Sequence, residues 1–156
     1  MRVGQGFDLH RVSTDPHRRL ILGGVELEGP GLEGHSDADA LTHACCDALL
    51  GAAGLGDLGQ HFPDDDPSTA GRSSLELLEQ VVALLGAQGF TVVNLDTTVL
   101  AEAPKLSPHR RAMEEVLSSR CGAPVSVKAT TMERLGPIGA REAIAAMAVA
   151  LVEETP

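Results

Sequence analysis

The last apolar segment of the chain, residues 142–152, limits the choice of fold more than any other stretch. Met147, Val149 and Leu151 alternate with alanines at 146, 148 and 150, which is the period of a strand, although so many alanines also favour a helix. We predict a strand. Because both of its faces are apolar, both must be covered. We expect one face to meet helices of the same chain and the other a neighbouring sheet, with Ala148 as the position where a Glu would break that assembly.

The rest of the chain alternates between strand and helix patterns. Strands are predicted at residues 2–10, 19–27, 90–101 and 125–131. Helices are predicted from Ser36, Ser73 and Pro108, and both serines resemble N-caps paired with an acid three residues later. The order β-β-α-α-β-α-β-β predicts an α+β fold, with a mixed sheet covered by helices on one face. The length fits one domain, 1–156, and three Phe without Trp or Tyr leave a core of small aliphatic residues.

Charge and cysteine content exclude several classes of function. Twelve basic residues against 22 acidic ones give a net charge of −10, which argues against nucleic acid and anionic membrane as partners. A phosphorylated ligand stays compatible with this charge, because carboxylates can first recruit metal cations. Three cysteines without C-x-x-C spacing, no signal-peptide pattern and no apolar run of about 20 residues indicate a cytoplasmic protein with reduced thiols.

Asp8 and His10 form the first candidate site. Residues two apart on a strand point to the same face, so the carboxylate and the imidazole are expected roughly 7 Å apart along the strand. That arrangement suits two ligands of one metal ion. The alternative is a solvated polar face at a strand end, and spacing alone favours this alternative because D-x-H is a common string.

A second cluster reads His35-Ser36-Asp37-x-Asp39, with His43 further along the same predicted helix. His43 lies seven residues after Ser36, so the two share a helix face. His43 is either a buried, satisfied histidine or a third metal ligand, since an Asp-His-His set matches catalytic zinc with a fourth position left for substrate. His35 and Ser36 precede the first helical turn, whose backbone N–H groups can receive a phosphate.

Three loops carry weaker indications. The first contains Asp57-Leu58-Gly59 and the run from His61 to Pro67, whose acids either bind sugar-alcohol hydroxyls or form a solvated loop tip. The second, Ala101 to Lys105, follows a strand and offers Lys105 to a phosphate. The third, Lys128 to Glu133, offers two hydroxyls and a carboxylate to a phosphate and a hard divalent ion. Each loop alone is a weak indication, because most such loops are exposed turns.

Taken together, five ordered motifs resemble the 2-C-methyl-D-erythritol 2,4-cyclodiphosphate synthase family. They are R-x-G-x-G-F-D-x-H, H-S-D-x-D-x-x-x-H, G-D-x-G-x-x-F-P-D, A-x-A-P-K and K-A-T-T, at residues 2–10, 35–43, 56–64, 101–105 and 128–131. They cover nearly the whole chain, and H-S-D-x-D-x-x-x-H is the most specific of them. The resemblance also favours a strand over a helix at 142–152.

The resemblance implies a reaction and an assembly. The family converts 4-diphosphocytidyl-2-C-methyl-D-erythritol 2-phosphate, in the non-mevalonate route to isoprenoid precursors, by attack of the 2-phosphate on the β-phosphorus with loss of CMP. It implies a phosphorus–oxygen lyase with one Zn²⁺ per subunit and Mg²⁺ or Mn²⁺ held with the substrate diphosphate. It also implies a ferredoxin-like fold that packs sheet to sheet in a homotrimer, with active sites at subunit interfaces.

The resemblance further assigns roles to residues of this chain. Asp8, His10 and His43 are expected to hold zinc, and Glu133 to contact the second divalent ion. His35 and Thr131 are expected to stabilise the transition state. Substrate contacts are expected from Ser36, from Asp57, Leu58, Gly59, Phe62, Pro63, Asp64, Asp65 and Asp66 around the erythritol, and from Ala101, Ala103, Pro104, Lys105, Leu106 and Thr130 around the cytidine phosphate.

One stretch departs from the family pattern. Many members read G-F-x-G-R-G-E-G after K-A-T-T, whereas this chain has Pro137 in place of the Phe and Ala140 in place of the Arg, with Arg141 following. In the family that Arg helps to bind an isoprenoid diphosphate in the central cavity of the trimer, so its role is not carried over. Met132 also replaces a residue that is usually polar.

Two rival functions belong to other classes. A zinc-dependent phosphohydrolase would use the same Asp-His-His site, but it needs a general base that the chain offers only in its loop acids. A trimer that binds isoprenoid diphosphates without turnover is the second rival, and the altered stretch at 136–143 counts against it.

Overall fold

The computed structural model of the chain describes residues 1–63 and 71–155. In chain order its elements are β1 (Arg2–Arg11), β2 (Leu20–Leu22), β3 (Val25–Leu27), α1 (Ala40–Ala53), α2 (Leu58–His61), α3 (Ser74–Ala87), β4 (Phe90–Leu100), α4 (Arg110–Cys121), β5 (Val125–Thr130), α5 (Gly136–Gly139) and β6 (Ala143–Glu154). Four strands form one sheet in the order β1-β6-β4-β5, in which β4 and β5 run parallel and the other pairs antiparallel. This confirms the predicted α+β fold with a mixed sheet.

Strand β6 confirms the strand predicted at 142–152. Its small-residue face, however, points toward the helices of the same chain and not toward a neighbouring subunit. Ala148 pairs with Gly6 of β1 and is 1% exposed, whereas Met147 and Val149 are 44% and 47% exposed on the opposite face. The expectation that Ala148 contacts another subunit is therefore wrong. Its face packs on the helices of the same chain, because small side chains there let α1 approach the sheet.

The sheet and a helix approach each other closely along β1, where two glycines face α1. A Cβ atom on Gly6 would lie 2.0 Å from the carbonyl oxygen of Ala44, and one on Gly4 would lie 2.0 Å from that of Ala48. Any side chain there would push the helix away from the strand. Because β1 and α1 together carry the candidate metal ligands, these glycines set the distance between the two halves of the candidate site.

Replacing Gly6 by Ala is expected to lower the free energy of unfolding by about 1–3 kcal/mol or more, because an overpacked core must shift its backbone to accept a methyl group. The measurement is the midpoint of urea unfolding. Gly86→Ala is the matched control, since nothing lies within 4 Å of the added methyl group there, and it should leave stability unchanged or slightly raised. Equal midpoints for Gly6→Ala and wild type would contradict the close packing.

The predicted strand at 19–27 and the predicted start of the first helix are both wrong, for a shared reason. The chain reverses at Gly23 and Gly24, which have φ values of 57° and 72°, so the segment is a β2–β3 hairpin. Asp39, not Ser36, caps α1 through the backbone N–H of Thr42. The same buried carboxylate accepts the N–H groups of both glycines at 2.8 and 2.7 Å. It therefore ties the hairpin to the helix start, and the helix begins later than predicted.

The other helices match the sequence patterns more closely. Ser73 caps α3 as predicted, whereas α4 begins at Arg110 with His109 as its N-cap, two residues after the predicted start at Pro108. The helices α2 and α5 have four residues each, too few to show a helical period, and were not predicted. Within residues 1–63 and 71–155, no helix has the length and apolar character needed to cross a membrane.

Candidate metal centre and active site

Three side chains converge where β1 passes α1. Asp8 and His10 project from one face of β1, and His43 projects from α1. Asp8 Oδ2 lies 2.9 Å from His10 Nε2 and 3.1 Å from His43 Nδ1, and the two ring nitrogens are 3.2 Å apart. Tetrahedral zinc with bonds of about 2.0–2.1 Å needs ligand atoms about 3.3 Å apart. A carboxylate and two imidazoles at these distances fit a divalent metal ion.

Hydrogen bonds on the far side of each ring orient the nitrogens toward this point. His10 Nδ1 lies 2.6 Å from the carbonyl oxygen of Glu33, which only accepts, so Nδ1 carries the proton and Nε2 is left for the metal. His43 Nε2 lies 2.8 Å from the hydroxyl oxygen of Ser74, which leaves Nδ1 facing Asp8. With both inner nitrogens unprotonated, three acceptor atoms face one another, and a cation between them would resolve their repulsion. Without a cation, a protonated ring nitrogen can instead donate to Asp8.

The pKa values of these groups reflect the same convergence. Burial alone would raise the pKa of Asp8, but its hydrogen bonds to His10 and His43 and the attraction of both rings outweigh burial and hold this pKa well below its usual range. Burial likewise opposes charge on His10, but the hydrogen bond and the attraction of Asp8 raise the His10 pKa. The carboxylate therefore stays ionised across the whole physiological range, ready for a cation.

A cavity of about 250 Å³ opens above the three side chains. It is lined by eight of the residues predicted from the sequence: Asp8, His10, His35, Ser36, His43, Leu58, Gly59 and Phe62. Asp47 also lines it, one turn after His43, and its carboxylate accepts the backbone N–H of Leu58 at 2.7 Å. The carboxylate of Asp47 thus fixes the start of α2 against α1 and so shapes the wall of the cavity.

A second group of predicted residues lies elsewhere. The loop after β4 holds Ala101, Ala103, Pro104, Lys105 and Leu106, and the end of β5 and the turn after it hold Thr130, Thr131 and Glu133. Leu100 pairs with Thr130 in the parallel β4–β5 ladder, so these two loops leave the sheet side by side. Ala103 and Pro104 line a second cavity, of about 270 Å³. Of the residues the structure describes, those that line the first cavity include none from this second group.

Three predicted acids, Asp64, Asp65 and Asp66, lie outside the described residues. Just before them, Asp57 caps the short helix α2 by accepting the backbone N–H of Gln60. Pro63 follows the end of that helix. His35 and Ser36 precede the first helical turn, as expected, but they stand upstream of the Asp39 cap, whose buried carboxylate occupies that end of the helix.

Sequence patterns missed residues whose partners are far away in the chain. Arg18 donates from Nε to the carbonyl oxygen of Leu32 at 2.7 Å, and from Nη2 to those of Gly34 and Ser36 at 2.9 and 2.6 Å, and so holds the loop that carries His35. Glu102 accepts the backbone N–H groups of Met132 and Arg134 at 2.9 and 3.0 Å, joining the two loops of the second group. No local spacing signals either contact.

Comparisons with known proteins found several similar chains. The YgbB family model matches residues 1–153. A 2-C-methyl-D-erythritol 2,4-cyclodiphosphate synthase of Desulfosudis oleivorans is 56% identical, with 99% of this chain and 93% of that protein covered. The bifunctional IspDF from Campylobacter jejuni superposes with a TM-score of 0.93 at 38% identity, covering 98% of this chain and 42% of that one. IspF of Plasmodium falciparum, solved as a CDP complex, superposes with a TM-score of 0.86 at 32% identity, covering 99% and 97%.

These matches span nearly the whole chain. Three relatives that are more than 50% identical to it all carry the same enzyme name. The chain therefore belongs to the YgbB family, together with the 2-C-methyl-D-erythritol 2,4-cyclodiphosphate synthases.

Proposed function

We propose that this chain converts 4-diphosphocytidyl-2-C-methyl-D-erythritol 2-phosphate to 2-C-methyl-D-erythritol 2,4-cyclodiphosphate with release of CMP, in the non-mevalonate route to isoprenoid precursors. The observation that carries the proposal is the convergence of Asp8, His10 and His43 in one cavity, in a chain 56% identical to a synthase of that name. By this reaction the protein is a metal-dependent phosphorus–oxygen lyase.

The proposed active site, shared by two subunits, offers the groups that an intramolecular phosphoryl transfer needs. Zn²⁺ on Asp8, His10 and His43, with Mg²⁺ or Mn²⁺ at Glu133, would supply charge neutralisation at the diphosphate. Within the chain itself, His35 and Ser36 stand at the cavity wall, where they would hold a phosphate. We assign stabilisation of the transition state to His35 and Thr131. Such a transfer is accelerated mainly by positioning, because the attacking phosphate belongs to the same molecule.

The walls of the cavity suit a small polyol. Leu58, Gly59 and Phe62 form one side of it and would exclude water, which otherwise hydrolyses the diphosphate instead of letting it cyclise. We assign the hydroxyl groups of the erythritol to Asp57, and to Pro63, Asp64, Asp65 and Asp66 further along the chain. Carboxylates accept hydrogen bonds from such hydroxyls without competing for the metal-bound phosphates.

The cytidine phosphate is assigned to the second group of residues: Ala101, Ala103, Pro104, Lys105, Leu106, Thr130 and Thr131. Support comes from the two loops that leave β4 and β5 side by side and from the CDP complex of the Plasmodium falciparum relative. Lys105 is exposed, so its ammonium group can approach a phosphate. Thr131 donates its hydroxyl to Glu133 at 3.2 Å, which places a hydroxyl beside the carboxylate assigned to the second metal ion.

We further propose a homotrimer of ferredoxin-like domains packed sheet to sheet, each comprising residues 1–156, with every active site shared by two subunits. Two observations support it. Among the described residues, the cavity with the metal ligands includes none of the nucleotide-binding group, and the outer face of the sheet exposes Phe7, Leu9 and Met147 at 52%, 48% and 44%. A neighbouring subunit would cover this apolar face and bring a nucleotide-binding loop to the metal ligands.

A cytoplasmic location is proposed from the cysteines. Cys45, Cys46 and Cys121 all lie in the described part of the chain as buried free thiols, and burial raises the pKa of the Cys121 thiol to about 12. Such unreactive, unbridged thiols are typical of proteins in a reducing compartment.

The experiment that tests the function is phosphorus NMR of the product formed from the cytidylylated substrate with Zn²⁺ and Mg²⁺. We expect the two coupled resonances of a cyclic diphosphate together with CMP. A linear phosphate product would instead identify a phosphohydrolase. Binding of isoprenoid diphosphates without turnover of this substrate would identify a non-catalytic binding trimer.

A further inference from the structure

Ser74, the first residue of α3, lies behind the candidate metal ligand His43, and no sequence motif marks it. Its side chain is fully buried, and its hydroxyl oxygen lies 2.8 Å from His43 Nε2, on the side of the ring away from Asp8. Ser36 reaches the same nitrogen from further away, at 3.2 Å. A buried hydroxyl beside the outer nitrogen of a ligand imidazole is well placed to control which nitrogen carries the proton.

Asp37 fixes the direction of the hydrogen bond between Ser74 and His43. Its Oδ2 accepts the backbone N–H of Ser74 at 3.0 Å, and its Oδ1 accepts the Ser74 hydroxyl in a short hydrogen bond. A serine hydroxyl has one proton to donate. Because that proton goes to the carboxylate, the oxygen of Ser74 must accept from His43, and His43 must carry its proton on Nε2.

We propose that Asp37 and Ser74 are positioning residues that hold His43 in its Nε2–H tautomer and present the lone pair of Nδ1 to the metal ion. The inference rests on the proposed metal site and goes beyond it, since neither residue lines the cavity or belongs to the proposed set of metal ligands. The three side chains form a one-way chain, in which His43 donates to Ser74 and Ser74 donates to Asp37. The last acceptor is a carboxylate, which strengthens both hydrogen bonds that lead to it.

A purely structural role makes a different prediction from this positioning role. Ser73 and Ser74 are neighbours at the start of α3, and Ser73 is the N-cap that accepts the backbone N–H of Leu75. Loss of the Ser73 hydroxyl should weaken the helix start, whereas loss of the Ser74 hydroxyl removes the hydrogen bonds to Asp37 and His43. Only loss of the Ser74 hydroxyl should change the affinity for metal, because only Ser74 contacts a candidate ligand.

The experiment measures zinc affinity by competition with a chromogenic chelator, using the full-length protein without substrate. Ser74→Ala should bind Zn²⁺ about 10–100-fold more weakly than wild type, the loss typical when a ligand histidine loses its outer partner. Ser73→Ala is the matched control and should bind zinc as tightly as wild type while unfolding at a lower temperature. In the metal-free protein, ¹⁵N NMR of the imidazoles should show His43 as the Nε2–H tautomer in wild type and as a mixture in Ser74→Ala.

Unchanged zinc affinity and an unchanged tautomer in Ser74→Ala would overturn the inference. If Ser74→Ala does not fold, Asp37→Asn replaces it, because Asn keeps the volume of Asp but removes one acceptor, and it should weaken zinc binding in the same direction. Normal zinc binding in Asp37→Asn would then overturn the inference. Failure of the metal site itself is distinguishable, since His43→Ala would in that case also keep its zinc.

Discussion

His43→Ala is expected to lose bound zinc and to lower kcat/KM by at least about 1000-fold, since a metal that polarises a phosphoryl group contributes several kcal/mol to the transition state. The substitution leaves Asp8 and His10 as two ligands, one fewer than catalytic zinc sites keep. The measurements are metal content by mass spectrometry and turnover by phosphorus NMR.

His17→Ala is the control for that experiment, because it makes the same substitution at an exposed turn. It should keep full zinc content and activity. The fold should survive in His43→Ala as well, since the ring contributes hydrogen bonds and not the apolar core around α1. A folded His43→Ala protein with a full complement of zinc would remove His43 from the metal site.

The sequence predicted that Asp8 and His10 share one face of a strand, but it did not predict how close their ligand atoms lie. The spacing of Asp8 and His10 along a strand gives about 7 Å between their positions, yet their ligand atoms lie 2.9 Å apart because the longer imidazole bends back toward the carboxylate. The spacing alone favoured a solvated face, whereas the side chains of Asp8 and His10 are only 24% and 18% exposed. Helix α1 covers these two side chains and so reduces their exposure. The helix can approach the strand only because of glycines in β1, and the D-x-H string does not include them.

Long-range contacts explain what could not be predicted. Asp39 occupies the position of a capping-box acid in the sequence. In the structure its carboxylate instead accepts the backbone N–H groups of the hairpin glycines at positions 23 and 24. In the sequence, Ser74 looks like an ordinary serine at the start of a helix. Only folding brings it next to His43, which lies 31 residues earlier in the chain. By contrast, the period-two pattern of residues 146–151, together with the family resemblance, predicted a strand at 142–152, and β6 does alternate between a helix-covered face and an open one.

The open face of the sheet gives the strongest physical argument for assembly. Phe7 and Met147 are direct cross-strand partners on β1 and β6, and Val149 lies two residues along the same face. All three expose about half of their surface, and Val3 and Leu9 continue the patch along β1 at 68% and 48% exposure. A contiguous apolar patch on a sheet is typical of a surface that another protein covers. The second copy of this chain is the partner that the proposed shared active site requires.

Met147→Glu is therefore expected to dissociate the proposed trimer into monomers, because assembly would bury an unpaired carboxylate at a cost that exceeds the stabilisation from burying the apolar patch. Activity should fall with assembly, although Met147 lines neither cavity. Ala112→Glu is the control, since it adds the same charge to an exposed position of α4, and it should leave both mass and activity unchanged. Sedimentation equilibrium measures the mass. A wild-type protein that sediments as a fully active monomer would refute the shared active site, and an intact trimer in Met147→Glu would place the interface on another face.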